Sequence, residues 1–162
     1  STHITAQLNY HASAGFDIAN TLWGGTVNDR AANFHLELGL RTKVENVEVY
    51  LGYENFQILN YEAYLMGYNK VIPFKKFEFV AGFDHGVIHR WKGRYYKDDD
   101  SDSFTYTYAL DAEIRYVLNE RWSIGVKHNF RSRTDIGKWV GSNEFKLIYK
   151  FQKKKKKEDE KL

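Results

Sequence analysis

Apolar and polar residues alternate one by one along most of this chain. Segment 103–117 shows this most clearly, because its polar positions separate an unbroken apolar series: Phe104, Tyr106, Tyr108, Leu110, Ala112, Ile114 and Tyr116. Successive side chains of a β-strand point to opposite faces of the sheet, so a period of two predicts strands. No segment keeps a helical period over more than a turn or two.

Eight segments follow this pattern, and their ranges are 3–11, 31–42, 45–55, 58–69, 76–89, 103–117, 121–131 and 142–151. An even number of antiparallel strands can close into a barrel, which leaves no unpaired edge. One face carries more apolar bulk than a soluble sheet needs, whereas lipid-facing residues of a transmembrane barrel must be apolar. We therefore predict an all-β fold: an eight-stranded, antiparallel, up-and-down transmembrane β-barrel.

The facing of each predicted strand follows from its apolar residues. In segment 58–69 the predicted outward residues are Leu59, Tyr61, Ala63 and Leu65, which leaves Asn60, Glu62, Tyr64 and Met66 inward. In segment 121–131 the outward face includes Trp122, Ile124, Val126, His128 and Phe130. These assignments decide which side chains meet lipid and which fill the barrel.

The predicted connections differ in length at the two ends of the barrel. Those after odd-numbered strands are mostly long, at 12–30, 56–57, 90–102 and 132–141, whereas those after even-numbered strands are short, at 43–44, 70–75 and 118–120. Longer extracellular loops and short periplasmic turns are typical of outer-membrane barrels. Both termini are then expected in the periplasm.

Composition agrees with long strands at a membrane. Aromatic residues make up 17% of the chain and there is a single proline, as suits uninterrupted ladders and interfacial girdles. Mean hydropathy is −0.61, and no segment is continuously apolar enough for a transmembrane helix. Because the chain has no cysteine, disulfides and thiolate metal sites are excluded.

The net charge of +3 comes from the last segment, 152–162, which holds six lysines and three acidic residues. The remainder, 1–151, keeps 18 of the 24 basic and 18 of the 21 acidic residues, so it is neutral. Since no basic patch is interleaved with stacking aromatics, nucleic acid is not a predicted partner. We expect a barrel over 1–151 and a disordered periplasmic tail over 152–162.

Charged residues recur on the predicted inward faces. An eight-stranded barrel is about wide enough for side chains to fill its interior, so these charges are expected to pair in a plugged lumen. A narrow proton or ion path is the alternative. The predicted lumen network consists of Glu37, Arg41, Glu48, Glu62, Glu78, Asp84, Asp111, Glu113, Arg115, Lys127, Arg131 and Glu144.

Two local motifs carry a resemblance to a known family. The turn 118–122 reads Leu-Asn-Glu-Arg-Trp, and the final strand ends on an aromatic series that would act as an assembly signal: Phe145, Leu147, Tyr149 and Phe151. With the eight alternating segments, these motifs resemble the small outer-membrane β-barrel superfamily, which includes OmpA transmembrane domains and OmpX. The resemblance implies a bacterial outer-membrane location, and the superfamily includes anchors, adhesins, lipid enzymes and accessory subunits.

One enzymatic alternative is a PagL-like lipid A deacylase, whose catalytic His and Ser lie two residues apart on a late strand, followed by Glu. His128 and Glu144 resemble two of these residues, but Phe130 occupies the serine position. Ser132 is four residues from His128, or about 13 Å along a strand, which is beyond hydrogen-bond reach. We predict no catalytic residue, no cofactor and no metal site, including at His85 and His89 or the acidic run 98–102.

The predicted extracellular loops mix aromatic, apolar and basic side chains. Apolar loop residues suit contact with a partner protein, and basic and aromatic ones suit lipopolysaccharide phosphates at the outer leaflet. The candidates are Phe16, Ile18, Leu22, Trp23, Arg90, Trp91, Lys92, Arg94, Tyr95, Tyr96, Arg133, Lys138 and Trp139.

The sequence therefore predicts a non-enzymatic outer-membrane protein, either structural or an accessory subunit of a larger envelope complex. A soluble lipocalin-like carrier is the other alternative, because it is also an eight-stranded barrel. There the apolar face would line a ligand cavity, but the seven apolar residues of segment 103–117, six of them large, would overfill it. The lipocalin Gly-x-Trp is also missing, since Trp23 precedes Gly24 and Gly25.

Overall fold

Eight antiparallel strands close into one barrel in the computed structural model, as the alternation predicts. The structure describes residues 8–18, 34–42, 45–56, 61–90, 103–135 and 137–151. The strands are β1 (Leu8–Asp17), β2 (Phe34–Thr42), β3 (Val47–Phe56), β4 (Tyr61–Phe74), β5 (Phe77–Arg90), β6 (Ser103–Val117), β7 (Trp122–Arg133) and β8 (Lys138–Phe151).

Each strand pairs with the next, and β1 closes the sheet against β8. The closing register places Phe16 opposite Phe145 and Tyr10 opposite Phe151. Closure gives each strand a neighbour on both sides, which removes the exposed edges that an open sheet would have. Within the described residues, no helix is both long and apolar enough to cross a membrane.

The two ends of the barrel are distinguished by their connections. The turn-side end holds the first residues of β1, β3, β5 and β7, and the connections there are short, at 43–46, 75–76 and 118–121. Asn46 and Lys75 adopt positive φ angles of 51° and 55° in two of these tight turns. The opposite end, where β1, β3, β5 and β7 finish, is called the loop-side end below.

Large apolar side chains cover the outer face of the sheet. Leu38 is 66% exposed, Leu51 62% and Leu110 59%. In water such an apolar surface would promote aggregation, whereas in a bilayer it is compatible with the acyl chains. Aromatic residues gather on the outer face toward the turn-side end, as in a membrane-interface girdle: Tyr10, Phe77, Tyr116, Trp122, Tyr149 and Phe151.

The predicted loop 12–30 begins too early, because residues 12–17 belong to a strand, whereas residues 3–7 of the predicted first strand lie outside the described residues. The strand runs over Leu8–Asp17, so Phe16 is a strand residue on the outer face rather than a loop residue. The small residues of 12–15 favour a loop by composition, but in the closed barrel they pair with β2 on one side and β8 on the other. Tertiary pairing overrides local propensity here.

The predicted facing of β4 is also wrong. Tyr61, Ala63 and Leu65 point inward and are almost fully buried, whereas Tyr64 and Met66 are exposed outside. Both faces of this strand are apolar, so the alternation alone does not set its phase. The register with β5 sets it, because Ala63 pairs with the inward-facing Ile88 and forms an apolar cluster with it inside the barrel.

Several strands extend beyond their predicted ends. β4 continues to Phe74, β7 to Arg133, and β8 begins at Lys138. The predicted long loop 132–141 is therefore a short connection over 134–137, with Gly137 at a positive φ of 65°. Arg133 consequently belongs to a strand and points into the barrel instead of lying in a loop.

Gly67 makes room for the ring of Tyr50, which lies across the lumen. A Cβ atom at Gly67 would lie 2.0 Å from Cζ of Tyr50. We expect Gly67→Ala to lower the free energy of unfolding by about 1–3 kcal/mol through overpacking, measured by urea unfolding in lipid vesicles. Gly141→Ala is the control, because its Cβ would meet only the His128 ring, with Cε1 at 3.4 Å and Nε2 at 3.8 Å. Equal effects of the two substitutions would contradict this packing.

Candidate functional site: charged lumen and loop-side rim

Ion pairs fill the interior of the barrel. Alternation along each strand directs its polar residues inward, and closure brings residues from distant parts of the chain together. Charged side chains almost fully hidden from solvent include Glu37, Glu48, Glu54, Asp84, Glu113, Arg115, Lys127, Arg131, Arg133, Glu144 and Lys146. Burial on this scale is stable only when the charges are paired and hydrogen-bonded.

Arg131 is the centre of the network toward the loop-side end. Its Nη1 donates to Asp84 Oδ1 at 2.8 Å, and its Nη2 donates to Glu54 Oε1 at 2.7 Å. The hydroxyl of Tyr61 donates to the other oxygen of Glu54 at 3.1 Å, and Asn129 Nδ2 reaches Asp84 Oδ2 at 3.4 Å. The guanidinium therefore compensates two buried carboxylates from β3 and β5.

Arg115 plays the same part nearer the turn-side end. Nε and Nη2 donate to the two oxygens of Glu113 at 2.8 and 3.0 Å, which is the bidentate geometry of strong arginine–carboxylate pairs. Nη1 donates to Glu48 at 2.8 Å. One cation again holds carboxylates from two separate strands.

Two lysines join these arginine centres across the middle of the lumen. Lys146 Nζ donates to Glu37 at 2.6 Å and to Glu113 at 3.2 Å. Lys127 Nζ lies 3.3 Å from Glu37 and 3.2 Å from Asp111. The hydroxyl of Tyr50 donates to Asp111 at 3.0 Å, so the network crosses the barrel rather than following one wall.

Further pairs close the two ends. At the turn-side end, Arg41 Nη1 donates to Glu78 at 2.7 Å. At the loop-side end, Arg133 lies 4.1 Å from the ring centroid of Tyr61 and donates to Asp135 at 2.6 Å. The lumen is thus packed with side chains along its length, and an ion would have to break these pairs to cross it.

His35, Glu54 and Glu144 form the group within the described residues that could hold a metal ion. Their ligand atoms lie within 4.8 Å of one another, and all three side chains are buried. His35 Nδ1 lies 3.0 Å from Glu144 Oε2. Since the Arg131 guanidinium already binds Glu54, the arrangement has the character of an ion-pair network, and a cation would have to compete with it.

All but one of the predicted lumen residues face inward. Glu62 lies on the outer face, because β4 has the opposite phase to that predicted. There it accepts hydrogen bonds from the hydroxyls of Tyr53 and Tyr64, both at 3.1 Å, and lies 3.0 Å from His89 Nδ1. Its charge therefore has partners at the rim of the barrel rather than in the lumen.

The residues predicted for loop contacts are only partly described. Arg90 and Trp139 lie at the loop-side end, and Trp139 stacks on Phe130 with ring centroids 4.9 Å apart. Lys138 is exposed at the start of β8, and Ile18 follows β1 directly. Phe16 and Arg133 are strand residues instead. The other candidates lie outside the described residues: Leu22, Trp23, Trp91, Lys92, Arg94, Tyr95 and Tyr96.

The two residues that resemble members of a deacylase triad, His128 and Glu144, do not meet each other or Ser132. His128 lies on the outer face and its Nδ1 is 2.9 Å from Asn143 Oδ1. Glu144 is buried on the opposite face of the sheet, beside His35. Ser132 is four residues from His128 along β7. A nucleophile, base and orienting acid require mutual hydrogen-bond contact, which this arrangement lacks.

The predicted lumen network omits members that the alternation itself places on the inward face. Tyr50, Asn129 and His35 bond to predicted members but are not among the predicted residues. Their inward phase is visible in the sequence, since each lies an even number of residues from a charged inward neighbour on its own strand. Arg133 could not be found this way, because its strand was expected to end at 131.

No protein-family model and no curated protein sequence matches this chain. Solved structures do match it. The outer-membrane protein Ail of Yersinia pestis, determined in a phospholipid bilayer nanodisc, is 12% identical with a TM-score of 0.57, and the match covers 90% of this chain and 100% of Ail.

Two further barrels are similar. Neisserial surface protein A is 12% identical with a TM-score of 0.52, over 89% of this chain and 97% of that one. The N-terminal barrel domain of Pseudomonas aeruginosa OprF is 10% identical with a TM-score of 0.52, over 89% and 96%. This chain therefore has the fold of the small eight-stranded outer-membrane β-barrels, which confirms the resemblance drawn from its sequence.

Proposed function

We propose that this protein is an integral barrel of the bacterial outer membrane without enzymatic activity, with both termini in the periplasm. It would serve as a structural protein or as an accessory subunit of a larger outer-membrane complex. Its loop-side end would face outward and contact a partner protein or lipopolysaccharide.

The observation that carries this proposal is the combination of an apolar outer wall with a lumen packed by ion pairs. The wall suits acyl chains. A lumen blocked by Arg115, Lys127, Arg131 and Lys146 is a poor transport path, because these side chains are held by buried carboxylates. Function in such a barrel then depends on its ends and its outer surface.

The chemistry of the loop-side end supports contact with anionic lipid heads. Arg90 and Lys138 lie at this end, and Trp139 forms an aromatic platform with Phe130 and Tyr108. Tryptophan and tyrosine concentrate at membrane interfaces, and basic side chains bind phosphate oxygens. Among the described candidates, we assign Arg90, Lys138 and Trp139 to the proposed contact surface.

The lipocalin-like alternative requires the opposite arrangement. A ligand carrier of that kind needs an apolar cavity and a polar exterior. Here the inward face carries charged residues at its centre, and Leu38, Leu51 and Leu110 project outward. Of the ten apolar residues that are buried in the described part of the barrel, Tyr61, Ala63, Leu65 and Ile88 form a small cluster.

The proposal is tested first by extraction and gel mobility of the full chain. We expect that detergent is required to extract it and that it migrates as a compact form which unfolds on boiling. A chain that stays in solution without detergent would contradict membrane insertion and turn attention to a ligand in its centre.

The contact surface is tested by affinity purification from membranes. We expect the wild-type barrel to retain lipopolysaccharide or a specific partner protein, and the triple variant Arg90→Glu, Lys138→Glu and Trp139→Ala to lose it. The triple variant Lys70→Glu, Lys75→Glu and Phe74→Ala changes the turn-side end equally and serves as the control. The proposal fails if the wild-type barrel retains neither, or if both variants retain the same material.

A further inference from the structure

A polar pair interrupts the apolar outer surface near the middle of β7 and β8. His128 and Asn143 lie directly opposite each other in the register, and His128 Nδ1 is 2.9 Å from Asn143 Oδ1. Both side chains are exposed on the outer face. Trp122 and Trp139 lie on the same surface toward the two ends, so the pair sits inside the apolar band. Polar groups there are costly unless they have partners.

Two charged residues of the outer face bind within their own barrel. Lys70 donates to the turn carbonyl of Glu45 at 2.5 Å, and Glu62 accepts from two tyrosines at the rim. His85 lies among the rings of Tyr68, Phe83 and Tyr106. His128 Nε2 and Asn143 Nδ2, by contrast, make no hydrogen bond within the part of the chain that the structure describes.

The pair presents one acceptor and one donor to its surroundings. An amide oxygen only accepts, so Asn143 Oδ1 accepts from Nδ1–H of His128; in the Nδ1–H tautomer of the imidazole, Nε2 is an acceptor, and the Asn143 amide nitrogen is a donor. A surface that carries one of each is complementary to a second copy of itself.

Small neighbours leave the pair accessible. On β8, Gly141 lies two residues from Asn143, and a Cβ there would approach His128 Cε1 to 3.4 Å. On β6, Ala112 lies opposite His128. The pair, Gly141 and Ala112 together are named here the β7–β8 notch. Because the His128 ring lies over Gly141, the pair itself is the part of this surface that another molecule in the membrane would contact.

We propose that the β7–β8 notch is the contact face between two copies of this chain in the membrane. Two barrels inserted in the same orientation are related by an axis along the membrane normal. An axis that passes between β7 and β8 places His128 of one barrel opposite Asn143 of the second, and the reverse. Two hydrogen bonds then satisfy both pairs. The proposal requires membrane insertion but is independent of the loop contacts proposed above.

Single cysteines test this face cleanly, because the natural chain has none. Val126 lies beside the notch and is 48% exposed, whereas Leu51 on β3 lies on the far wall and is 62% exposed. The full chain carrying Val126→Cys or Leu51→Cys is folded into lipid vesicles and treated with a short bismaleimide. We expect a crosslinked dimer from Val126→Cys, at a yield severalfold above that from Leu51→Cys.

A second substitution separates loss of the interface from loss of the fold. His128→Leu in the Val126→Cys background removes the interbarrel hydrogen bonds but places an apolar side chain on the lipid face. We expect the dimer association constant to fall by about fivefold to tenfold, while the barrel stays folded and at least as resistant to urea.

Three results would overturn the proposal. Equal crosslinking at Val126→Cys and Leu51→Cys would mean random encounter, and unchanged crosslinking with His128→Leu would exclude the polar pair as the contact. If the Val126→Cys variant in native membranes crosslinks to another protein and forms no dimer, the notch binds a different partner.

Discussion

Arg131→Met will lower the free energy of unfolding of the barrel by about 3–5 kcal/mol. The substitution keeps a long side chain in place but removes the cation that binds Asp84 and Glu54 at 2.8 and 2.7 Å. Both carboxylates are fully buried, so each would lose its compensating charge. Urea unfolding in lipid vesicles, followed by gel mobility or tryptophan fluorescence, measures the change.

Arg121→Met is the matched control, because Arg121 is exposed in the turn before β7 and its side chain has no part in the lumen. We expect a change within about 0.5 kcal/mol there. Adding Asp84→Asn and Glu54→Gln to Arg131→Met should recover part of the loss, because no unpaired charge remains at these sites. A loss from Arg131→Met no larger than that from Arg121→Met would contradict the ion-paired lumen.

Leu51→Arg will lower the free energy of unfolding in a bilayer by about 2–4 kcal/mol. Leu51 points outward and pairs with Leu38 on β2 and Met66 on β4, both also outward. An arginine there would place a charge in the centre of the acyl chains. The same change on a water-exposed surface would be nearly neutral, so the result separates a lipid-facing wall from a solvated one.

Tyr10→Arg provides the depth control for this prediction. Tyr10 is 49% exposed but lies near the turn-side end, where a long basic side chain can reach the head groups. We expect a cost of about 0–1 kcal/mol. If Leu51→Arg and Tyr10→Arg have the same small effect in vesicles, the outer wall does not lie in hydrocarbon.

The sequence predicts the barrel well where one face of a strand is clearly apolar. β6 is placed correctly to the residue, because its aromatic series and its charged series leave one possible phase. The predicted facing of β4 is wrong for the opposite reason, since Tyr61 and Leu65 are as apolar as Tyr64 and Met66. Only the pairing with β5 determines which of these two sets points inward. Glu62 was assigned to the lumen through that same error.

The lumen shows a second limit. Alternation indicates which residues face inward, but partners such as Arg131 and Glu54 are separated by 77 positions in the chain. Their contact depends on how far neighbouring strands are shifted against each other, and no local pattern specifies that shift. β1 shows a related limit, because its small residues form a strand through pairing with β2 and β8 and not through a local sequence pattern.

We infer that the apolar outer face of this barrel lies against lipid acyl chains. An environment-sensitive fluorophore on single cysteines at Leu38, Leu51, Leu110 and Leu147, one on each of four strands, reports the surroundings of this face in vesicles that contain acyl-chain quenchers. We predict strong quenching by the lipid at all four positions and protection from an aqueous quencher. Fluorophores that respond to the aqueous quencher and not to the lipid would contradict the claim.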